Sequence, residues 1–283
     1  MRLLITGGSG FFGTAFTRHA LETGYKTICI YSRGEFQQYQ MRKQFRNDQR
    51  LRFFIGDVRD KARLKRAMYG VDVVIHAAAL KRVETMEYNV IEAIKTNVMG
   101  SLNVIEASID SWIKKVVFIS SDKACEPVNA YGISKAMAEK AFLAARYYAG
   151  EQWYNTKFAV CRYGNVANST GSVIPIWRRM KDDGMTKVPV TDPECTRFWM
   201  TVEQACNLVQ HTIDTMAGNE INIPELPAYR LGDLAEAMGF EMEIIGLQQG
   251  EKLHESMKPG ETSEHARRMS IDELREEIDK FQL

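Results

Sequence analysis

The sequence of 283 residues has few cysteines and no long apolar run, and each shortage excludes a class of protein. Its five cysteines are odd in number and far apart, and none forms a Cys-x-x-Cys pair. This argues against a disulfide framework and against a metal site. No apolar stretch approaches the roughly 18 residues that span a membrane, and the first apolar residues run directly into glycines rather than forming a signal peptide. We therefore expect a cytoplasmic protein with no membrane partner.

An excess of charge of either sign is also missing. Lys plus Arg number 37 and Asp plus Glu number 36, so the net charge of +1 gives no electrostatic indication of a nucleic-acid partner. Hydrophobic residues make up 45% and charged residues 26% of the chain, which is ordinary for a globular protein. A chain of this length can form one α/β domain with a smaller cap.

Short apolar runs alternate with amphipathic stretches in the first half of the sequence. Strands are predicted at residues 3–6, 27–31, 52–55, 71–76, 115–120 and 156–162. Helices are predicted between them at residues 11–23, 36–45, 60–68, 90–109 and 130–149. This alternation predicts a Rossmann-like α/β fold, in which a doubly wound parallel sheet is covered by helices on both faces.

The alternation stops after residue 162, where prolines and glycines cluster between helices predicted at 173–181, 202–216, 231–238 and 271–281. We predict a dinucleotide-binding domain over residues 1–166, completed by elements that return from the second half, and a smaller discontinuous substrate-binding cap over residues 167–283. The acidic stretch 272–279 predicts a solvated helix. The crevice between sheet and cap is the expected substrate site.

A glycine-rich turn separates the first predicted strand from the first predicted helix. Its glycines allow a tight turn, close approach of a pyrophosphate and close packing of helix on strand, and the helix N-terminus supplies free amides. A tight turn without a ligand is the alternative interpretation. The cofactor-binding candidates in this turn are Thr6, Gly7, Ser9, Gly10, Phe11, Phe12 and Gly13.

The end of the second predicted strand indicates which dinucleotide is bound. An NAD site places an acid about 20 residues after the glycines, on the ribose 2′-hydroxyl, whereas this sequence reads Ser32-Arg33 there. Both side chains can bind a 2′-phosphate, so NADP is favoured over NAD, with a merely solvated Arg33 as the alternative. Asp57, after the third strand, can accept from the adenine amino group, cap the next helix, or do both. Small residues that let the chain pass close to the cofactor follow the fourth strand at Ala77, Ala78 and Ala79.

The candidate catalytic residues follow the fifth predicted strand and open the next helix. Tyr131 and Lys135 are four residues apart and therefore share one helix face. A nearby ammonium and the positive nicotinamide ring favour the phenolate, so we expect the pKa of Tyr131 to be lowered. The tyrosine can then take a proton from a hydroxyl group as hydride leaves its carbon.

Several further short motifs accompany the glycine turn and the Tyr-x-x-x-Lys pair. They are Tyr31-Ser32-Arg33, Gly56-Asp57-Val58, His76-Ala77-Ala78-Ala79-Leu80-Lys81, Lys95-Thr96-Asn97, Ser121-Asp122-Lys123-Ala124, Arg162-Tyr163-Gly164-Asn165-Val166, Thr196-Arg197-Phe198-Trp199 and Gly250-Glu251-Lys252-Leu253-His254-Glu255. With these motifs the sequence resembles the extended short-chain dehydrogenase/reductases. Within them it is similar, from residue 3 to about residue 257, to the inverting UDP-N-acetylglucosamine 4,6-dehydratases of bacterial surface-glycan pathways.

The resemblance implies a role for each catalytic candidate. Tyr131 would act as base at C4 of the sugar, and Ser121 would hydrogen-bond the C4 oxygen. Lys123 would remove the C5 proton as a neutral amine, with a pKa lowered by burial and by nearby positive charge. Asp122 would protonate the departing C6 hydroxyl, which requires a raised pKa. Retaining sugar dehydratases carry Glu at the position of Lys123, so the resemblance implies inversion at C5.

The resemblance also implies binding residues and a homo-oligomer. The implied cofactor contacts are Val58, Asn97 and Val166, in addition to Tyr131 and Lys135. The implied substrate contacts are Lys81, Asn165, Val173, Arg197 and Glu251. His254 has no metal-ligand partner at a suitable spacing in the sequence and is interpreted as a structural or hydrogen-bonding histidine.

Two arginines of the family pattern are replaced, by Thr170 and Gln248. Either another arginine (Arg178, Arg179, Arg267 or Arg268) compensates, or the nucleotide or sugar differs. An epimerase or ketoreductase on the same scaffold stays an alternative. So does a non-catalytic sensor, although such proteins typically lose the tyrosine or lysine that this chain keeps.

Overall fold

A computed structural model describes residues 1–150 and 155–282, and at position 282 the backbone only. Its centre is a seven-stranded parallel sheet, in the order β3-β2-β1-β4-β5-β6-β10. The order reverses between β1 and β4, so the carboxyl ends of these strands open a crevice there. The strands are β1 Arg2–Thr6, β2 Thr27–Ser32, β3 Leu51–Ile55, β4 Val73–His76, β5 Lys115–Ile119, β6 Lys157–Cys161 and β10 Glu220–Asn222. The predicted Rossmann-like class is confirmed.

Helices cover both faces of this sheet, because its strands are apolar on both sides. In β1, Leu3 and Ile5 belong to one buried cluster and Leu4 to the other. Each fully buried aliphatic side chain of this kind contributes about 1.5–3 kcal/mol of burial free energy. The helices of the first half are α1 Phe11–Glu22, α2 Glu35–Gln44, α3 Lys61–Ala67, α4 Val83–Tyr88, α5 Val90–Ala93, α6 Gly100–Asp110 and α7 Ala130–Ala149.

The helix predicted over residues 90–109 is not one regular helix. A π-helical segment, Ile94–Met99, separates α5 from α6. The wider turn accommodates inward-facing side chains, since Thr96 and Asn97 are buried within it. The periodicity predicted the helix, but it could not predict a local change of pitch that depends on tertiary contacts.

A helix and a strand from the second half of the chain complete the large domain. The helix α9 (Val202–Thr215) packs against α1, and β10 pairs in parallel with β6 through Ile221 and Val160. Thr201 and Gln204 form a capping box at the start of α9, which satisfies two orphan amides.

Most of the remaining elements form a smaller unit around a buried cluster that includes Trp177, Trp199 and Leu234. Its last helix is not simply solvated as expected, because Leu274 and Ile278 are buried in this cluster. The elements are α8 Val173–Asp182, α10 Leu231–Met238, α11 Ile271–Asp279, β7 Asn165–Val166, β8 Lys187–Val190, β9 Thr196–Met200, β11 Ala228–Arg230, β12 Glu241–Ile244, β13 Ser256–Lys258 and β14 Glu261–Thr262.

Apolar side chains are exposed on α4, α5, the π-helical segment and α7, which pack side by side. Tyr88 is 90% exposed, and Ile91, Ile94, Ile133 and Met137 are also exposed. A contiguous apolar surface of this kind is uncommon on a monomer. Within the described ranges, no helix is long and apolar enough to cross a membrane.

Candidate active site

The glycine turn lies at the carboxyl end of β1, directly against the chain that follows β4. Gly7 has a φ of +68°, and a Cβ at this position would lie 2.9 Å from the Cα and N atoms of Ala78. Thr6 supports the same contact, because its Oγ1 accepts from the Ala78 amide at 3.3 Å and its carbonyl oxygen accepts from the Ala77 amide at 3.2 Å. Only glycine fits here, because a side chain at this position would collide with the backbone of Ala78.

The turn also provides the features that a dinucleotide pyrophosphate requires. The N-cap residue of α1 is Gly10, which has no side chain to occupy the first amides of the helix. A Cβ at Gly13 would lie 2.5 Å from the Gly8 carbonyl oxygen, so α1 packs tightly on the turn. Free amides and the positive end of the helix dipole meet at this point, which fits a bound anion.

The end of β2 presents hydroxyl and guanidinium groups at the rim of the same crevice. The Ser9 hydroxyl donates to the Ser32 hydroxyl at 2.8 Å. The side chain of Arg33 is 57% exposed, with its Nη1 atom 3.9 Å from Oδ2 of Asp57. Asp57 binds Arg59 through two side-chain hydrogen bonds of 2.7 and 3.0 Å. The proposed capping role of Asp57 is wrong, because the N-cap of α3 is Asp60.

Asn97 lies in the π-helical segment, and its side-chain amide forms hydrogen bonds with other residues of the protein. Its Oδ1 accepts from the Leu80 amide at 2.8 Å, and its Nδ2 donates to the Leu80 carbonyl at 2.9 Å and to the Ser134 hydroxyl at 3.0 Å. These bonds fix the chain after β4 to the helix that carries Tyr131. Val58 is buried against Gly100, where a Cβ would lie 2.7 Å from its Cγ2 atom.

Asp122 and Lys123 begin a 3₁₀ turn, Asp122–Ala124, at the carboxyl end of β5. The Oδ1 atom of Asp122 accepts from the Ser121 hydroxyl and from the Lys123 amide, both at 2.8 Å. Asp122 is completely buried. Burial raises the pKa of this carboxyl and outweighs the opposing charge of Lys123. This direction is the one that an acid at this position requires.

The Nζ atom of Lys123 lies between the carboxyl groups of Glu255 and Asp122. Its Nζ atom is 2.9 Å from Oε1 of Glu255, 3.3 Å from Oδ1 of Asp122 and 3.5 Å from Oδ1 of Asn165. Burial lowers the pKa of Lys123, but the charges of Asp122 and Glu255 together outweigh it and raise the pKa above its ordinary value. The expected lowered pKa is therefore wrong for this arrangement, because the sequence did not reveal the second carboxylate.

Tyr131 and Lys135 are held by the first turns of α7. The helix is capped by Asn129, whose side chain accepts from the Gly132 amide at 2.8 Å. Desolvation by the surrounding protein raises the pKa of Tyr131, and a hydrogen bond with Ser121 opposes this effect only in part. Among the protein's own groups, desolvation therefore outweighs the lowering that the sequence predicts from nearby positive charge.

Lys135, one helical turn after Tyr131, is buried. Its Nζ atom donates to the Ile119 carbonyl at 2.5 Å and lies 4.2 Å from the centroid of the Phe118 ring. Burial lowers the pKa of Lys135 to about 7, and the charge of Glu139, one helical turn further on, opposes this effect.

The second half of the chain contributes a second group of polar residues. Arg197 on β9 is buried, and its Nη2 atom donates to Oε1 of Glu251 at 2.8 Å. Glu251 also accepts from the Thr191 hydroxyl at 3.2 Å. Among the other predicted substrate contacts, Asn165 lies beside Lys123 at the start of β7.

The three other predicted binding residues lie on separate elements of the fold. Lys81 is an exposed residue in the segment after β4, and Val173 is the first residue of α8 and is partly buried. Val166 on β7 packs against the main core. His254 binds the Thr196 hydroxyl through Nδ1 at 2.8 Å, in agreement with a structural role.

Three of the arginines proposed to compensate for Thr170 and Gln248 interact elsewhere. Arg178 donates to the Ile278 carbonyl at 2.7 Å, Arg267 pairs with Glu273 at 2.8 Å, and Arg268 donates to the Glu264 carbonyl at 3.3 Å. Arg179 is exposed on α8. Arg82, which the sequence did not indicate, lies beside the segment that carries Thr170, since a Cβ at the next residue, Gly171, would be 3.4 Å from the Nη2 atom of Arg82.

The sequence also did not reveal that residues 250–257 pack against the loop between β5 and α7, which carries Asp122 and Lys123. Three hydrogen bonds join them: Asn129 to the Gly250 carbonyl at 2.7 Å, Lys252 to the Cys125 carbonyl at 2.7 Å, and Ser256 to Glu126 at 2.9 Å. A fourth, from Arg162 at the end of β6 to the Met257 carbonyl at 2.7 Å, joins the same segment to the sheet. These bonds place Glu255 against Lys123. Its position at the end of the Gly-Glu-Lys-Leu-His-Glu motif was the available signal.

Comparison with known proteins agrees with this architecture. The model of the family described as "Polysaccharide biosynthesis protein" matches residues 3–274. The chain is 47% identical over 259 residues to a UDP-N-acetylglucosamine 4,6-dehydratase (inverting) of Campylobacter jejuni, covering 90% of this chain and 76% of the relative. It is 40% identical over 270 residues to a UDP-glucose 4-epimerase of Rickettsia felis, covering 92% and 78%.

Solved structures have the same fold. The X-ray structure of Pen from Bacillus thuringiensis superposes with a TM-score of 0.92 at 34% identity, covering 99% of this chain and 98% of that one. Two further structures of the same fold, at 22% and 21% identity, contain NAD. The family match, the sequence identities and the Tyr131–Lys135 site agree: this chain belongs to the polysaccharide biosynthesis protein family and is an enzyme with the extended short-chain dehydrogenase/reductase fold.

Proposed function

We propose that this chain is an NADP-dependent nucleotide-sugar 4,6-dehydratase that acts on UDP-N-acetylglucosamine or a closely related sugar and inverts C5. The observation that carries the proposal is the group of Asp122, Lys123 and Tyr131 at the carboxyl end of β5. It combines a buried carboxyl of raised pKa, an amine and a phenol within one crevice. The 47% identity to an inverting dehydratase supports the same reaction.

The roles of the side chains follow from their positions. Tyr131 takes the proton of the sugar 4-hydroxyl, and Ser121, which already hydrogen-bonds the phenol, holds the same oxygen. The bound dinucleotide supplies the hydride acceptor for C4 and later the hydride donor for C6. Lys135, one helical turn after Tyr131 and with a pKa lowered to about 7, would supply positive charge that favours the phenolate.

Removal of water needs a base at C5 and an acid at C6. Asp122 has a raised pKa and can hold a proton for the departing C6 hydroxyl, with its buried Oδ2 atom free of protein hydrogen bonds within the described residues. Lys123 is the base at C5 once its ammonium has lost a proton. An amine at this position, instead of the carboxylate of retaining dehydratases, favours the inverted product.

Arg197 is the proposed clamp for the substrate diphosphate, because a guanidinium binds phosphate oxygens with two parallel hydrogen bonds. Glu251 orients it at 2.8 Å. Asn165, Lys81 and Val173 are the proposed contacts of the sugar and nucleotide.

NADP is proposed because β2 ends in Ser32 and Arg33 and has no acid that would repel a 2′-phosphate. The proposed cofactor contacts form one set around the crevice. They are Thr6, Gly7, Ser9, Gly10, Phe11, Phe12, Gly13, Ser32, Arg33, Asp57, Val58, Ala77, Ala78, Ala79, Asn97, Tyr131, Lys135 and Val166. Asn97 and Val58 would act by shaping the surrounding backbone, since their side chains contact protein groups.

The decisive experiment incubates the purified protein with UDP-N-acetylglucosamine in deuterated water, without added reductant. We expect a product that has lost one water and carries deuterium at C5, and no such product from the Tyr131→Phe variant. Arg66→Ala, at an exposed arginine of α3, is the control and should react like the unmodified protein. An unchanged sugar would reject the dehydratase, and a product without C5 deuterium would reject the C5 base.

An epimerase is the second candidate, because the chain is 40% identical to a UDP-glucose 4-epimerase. An epimerase needs the C4 base but neither Asp122 as an acid nor Lys123 as a base. Its product has the mass of the substrate, so mass spectrometry separates the two reactions.

We also propose that the protein is a cytoplasmic homo-oligomer. The apolar surface on α4, α5, the π-helical segment and α7 supports self-association, and five buried unpaired cysteines are in keeping with a reducing compartment. Sedimentation of the Ile133→Glu, Met137→Glu variant should show a smaller species than that of the unmodified protein. An unchanged sedimentation coefficient would reject this surface.

A further inference from the structure

The ion pair of Lys123 and Glu255 presents a chemical problem for the proposed dehydratase. A lysine can remove the C5 proton only as a neutral amine, but the ammonium of Lys123 lies 2.9 Å from the carboxylate of Glu255 and 3.3 Å from the carboxyl group of Asp122. Its side chain is 19% exposed, whereas those of Glu255 and Asp122 are 3% and 0% exposed. The ammonium proton must therefore leave through a neighbouring group or through the small opening to the crevice.

We propose that Glu255 is the proton acceptor that converts Lys123 into the neutral amine, and that binding of the substrate diphosphate at Arg197 promotes this transfer. This inference rests on the proposed function. The step is a transfer of one proton along the 2.9 Å contact, in which the pair Lys–NH₃⁺ and Glu–COO⁻ becomes Lys–NH₂ and Glu–COOH. No electron is exchanged and no further reactant is needed.

Glu255 suits this task better than Asp122. Asp122 must keep its own proton for the C6 hydroxyl, and its Oδ1 atom already accepts from Ser121 and from the Lys123 amide. Glu255 contacts Lys123 through Oε1, while its buried Oε2 atom has no hydrogen-bond partner among the described residues. An unpartnered buried oxygen is costly as part of a carboxylate and less so when the group is neutral.

The charges around Glu255 explain the link to substrate binding. Besides Asp122, the charged groups that face it are Lys123 from the 3₁₀ turn, Arg197 from β9, and Lys252, whose Nζ atom is 3.9 Å from Oε2. Burial raises the pKa of Glu255, but these three cations outweigh it, Lys123 foremost. A diphosphate on Arg197 would cancel one of them, and the transfer itself removes the charge of Lys123. Both changes make protonation of Glu255 easier.

The test measures exchange of the C5 proton with deuterated water separately from hydride transfer at C4, which single-turnover nicotinamide absorbance reports. Glu255→Gln keeps the shape of the side chain but cannot accept the proton. We expect C5 exchange at pH 7 to fall about 100-fold, while hydride transfer stays near its original rate. Exchange in the variant should then rise about tenfold per pH unit, as Lys123 loses its proton to solvent, whereas the unmodified enzyme should show a flat profile.

Glu261→Gln is the matched control, since Glu261 is an exposed glutamate on β14 that pairs with Lys258. It should change neither rate. If Glu255→Gln does not fold, Glu255→Asp replaces it; its carboxylate is one methylene shorter, so exchange should fall more than hydride transfer while the pH profile stays flat.

Three results would overturn the inference: unchanged exchange in the Glu255 variant, an equal loss of exchange and hydride transfer, or the same loss in the control. Failure of the unmodified protein to dehydrate the sugar would instead overturn the proposed function. The two failures are therefore distinguishable.

Discussion

Arg162 and Glu139 form a buried, two-pronged ion pair beneath the active site. The Nε and Nη2 atoms of Arg162 donate to the two carboxylate oxygens of Glu139 at 2.9 and 2.5 Å. The pair joins the end of β6 to the middle of α7, the helix that carries Tyr131 and Lys135. Since Arg162 also donates to the Met257 carbonyl, it connects the sheet, the catalytic helix and the segment that holds Glu255.

We predict that Glu139→Gln lowers the free energy of unfolding by about 3–5 kcal/mol, because it leaves the buried Arg162 without its counter-charge. Urea unfolding followed by circular dichroism measures this change. Glu241→Gln is the control, since its partner Lys187 is exposed and surface pairs contribute little. A similar small effect of both substitutions would contradict a structural role for the buried pair.

The protein should lose stability in acid because His76 is buried without charge. Its ring binds the hydroxyls of Thr6 and Ser101 at 2.7 and 3.0 Å. Burial, with a smaller effect from the charge of Lys135, lowers its pKa from 6.5 to about 3. The unfolded chain therefore binds more protons than the folded one between these values. The stabilisation from neutral His76 is complete above pH 6.5 and is lost as the pH falls towards 3.

The difference in free energy of unfolding between the unmodified protein and His76→Asn should shrink by up to about 1.4 kcal/mol per pH unit within this window. Urea titrations at a series of pH values measure this difference. His211→Asn, at an exposed histidine of α9, should leave the acid dependence unchanged. Parallel curves for His76→Asn and the unmodified protein would contradict the burial argument.

Gly7→Ala should damage both the fold and cofactor binding. The substitution would force a Cβ to 2.9 Å from the backbone of Ala78, at a φ of +68° that favours glycine. Gly24 is a matched control, because its φ is +86° but nothing lies within 4 Å of the added Cβ. We expect Gly24→Ala to cost about 1 kcal/mol from backbone strain alone, and Gly7→Ala to cost clearly more and to abolish dinucleotide binding. Equal costs would show that the contact with Ala78 can relax.

Arg33→Ala should weaken NADP binding by about 10- to 100-fold and leave NAD binding almost unchanged. The reason is that a charged hydrogen bond to the 2′-phosphate contributes roughly 1.5–3 kcal/mol. Isothermal titration with each dinucleotide measures the two affinities, and Arg66→Ala on α3 serves as the control. Unmodified protein that binds NAD more tightly than NADP would contradict the proposed cofactor.

Much of the fold could be predicted from the sequence, because burial on both faces of a parallel sheet leaves a simple pattern of short apolar runs. The predicted limits 130–149 and 231–238 coincide with α7 and α10. Asn129 and Gly239 explain this precision, since the first caps α7 through its side chain and the second ends α10 with a left-handed φ of +79°. The π-helical segment had no comparable local signal, because Asn97 turns inward to bind Leu80 and Ser134, which are distant in sequence.

The sequence by itself determined the parallel sheet, the glycine turn, and the order of Ser121, Asp122 and Lys123 after β5 and of Tyr131 and Lys135 on α7. These features depend on local periodicity and on spacing within one strand or helix. The protonation of the site was decided only by the tertiary structure. Glu255 reaches Lys123 from a segment more than 130 positions away, and the pKa of an amine depends on every charge that folding brings near it.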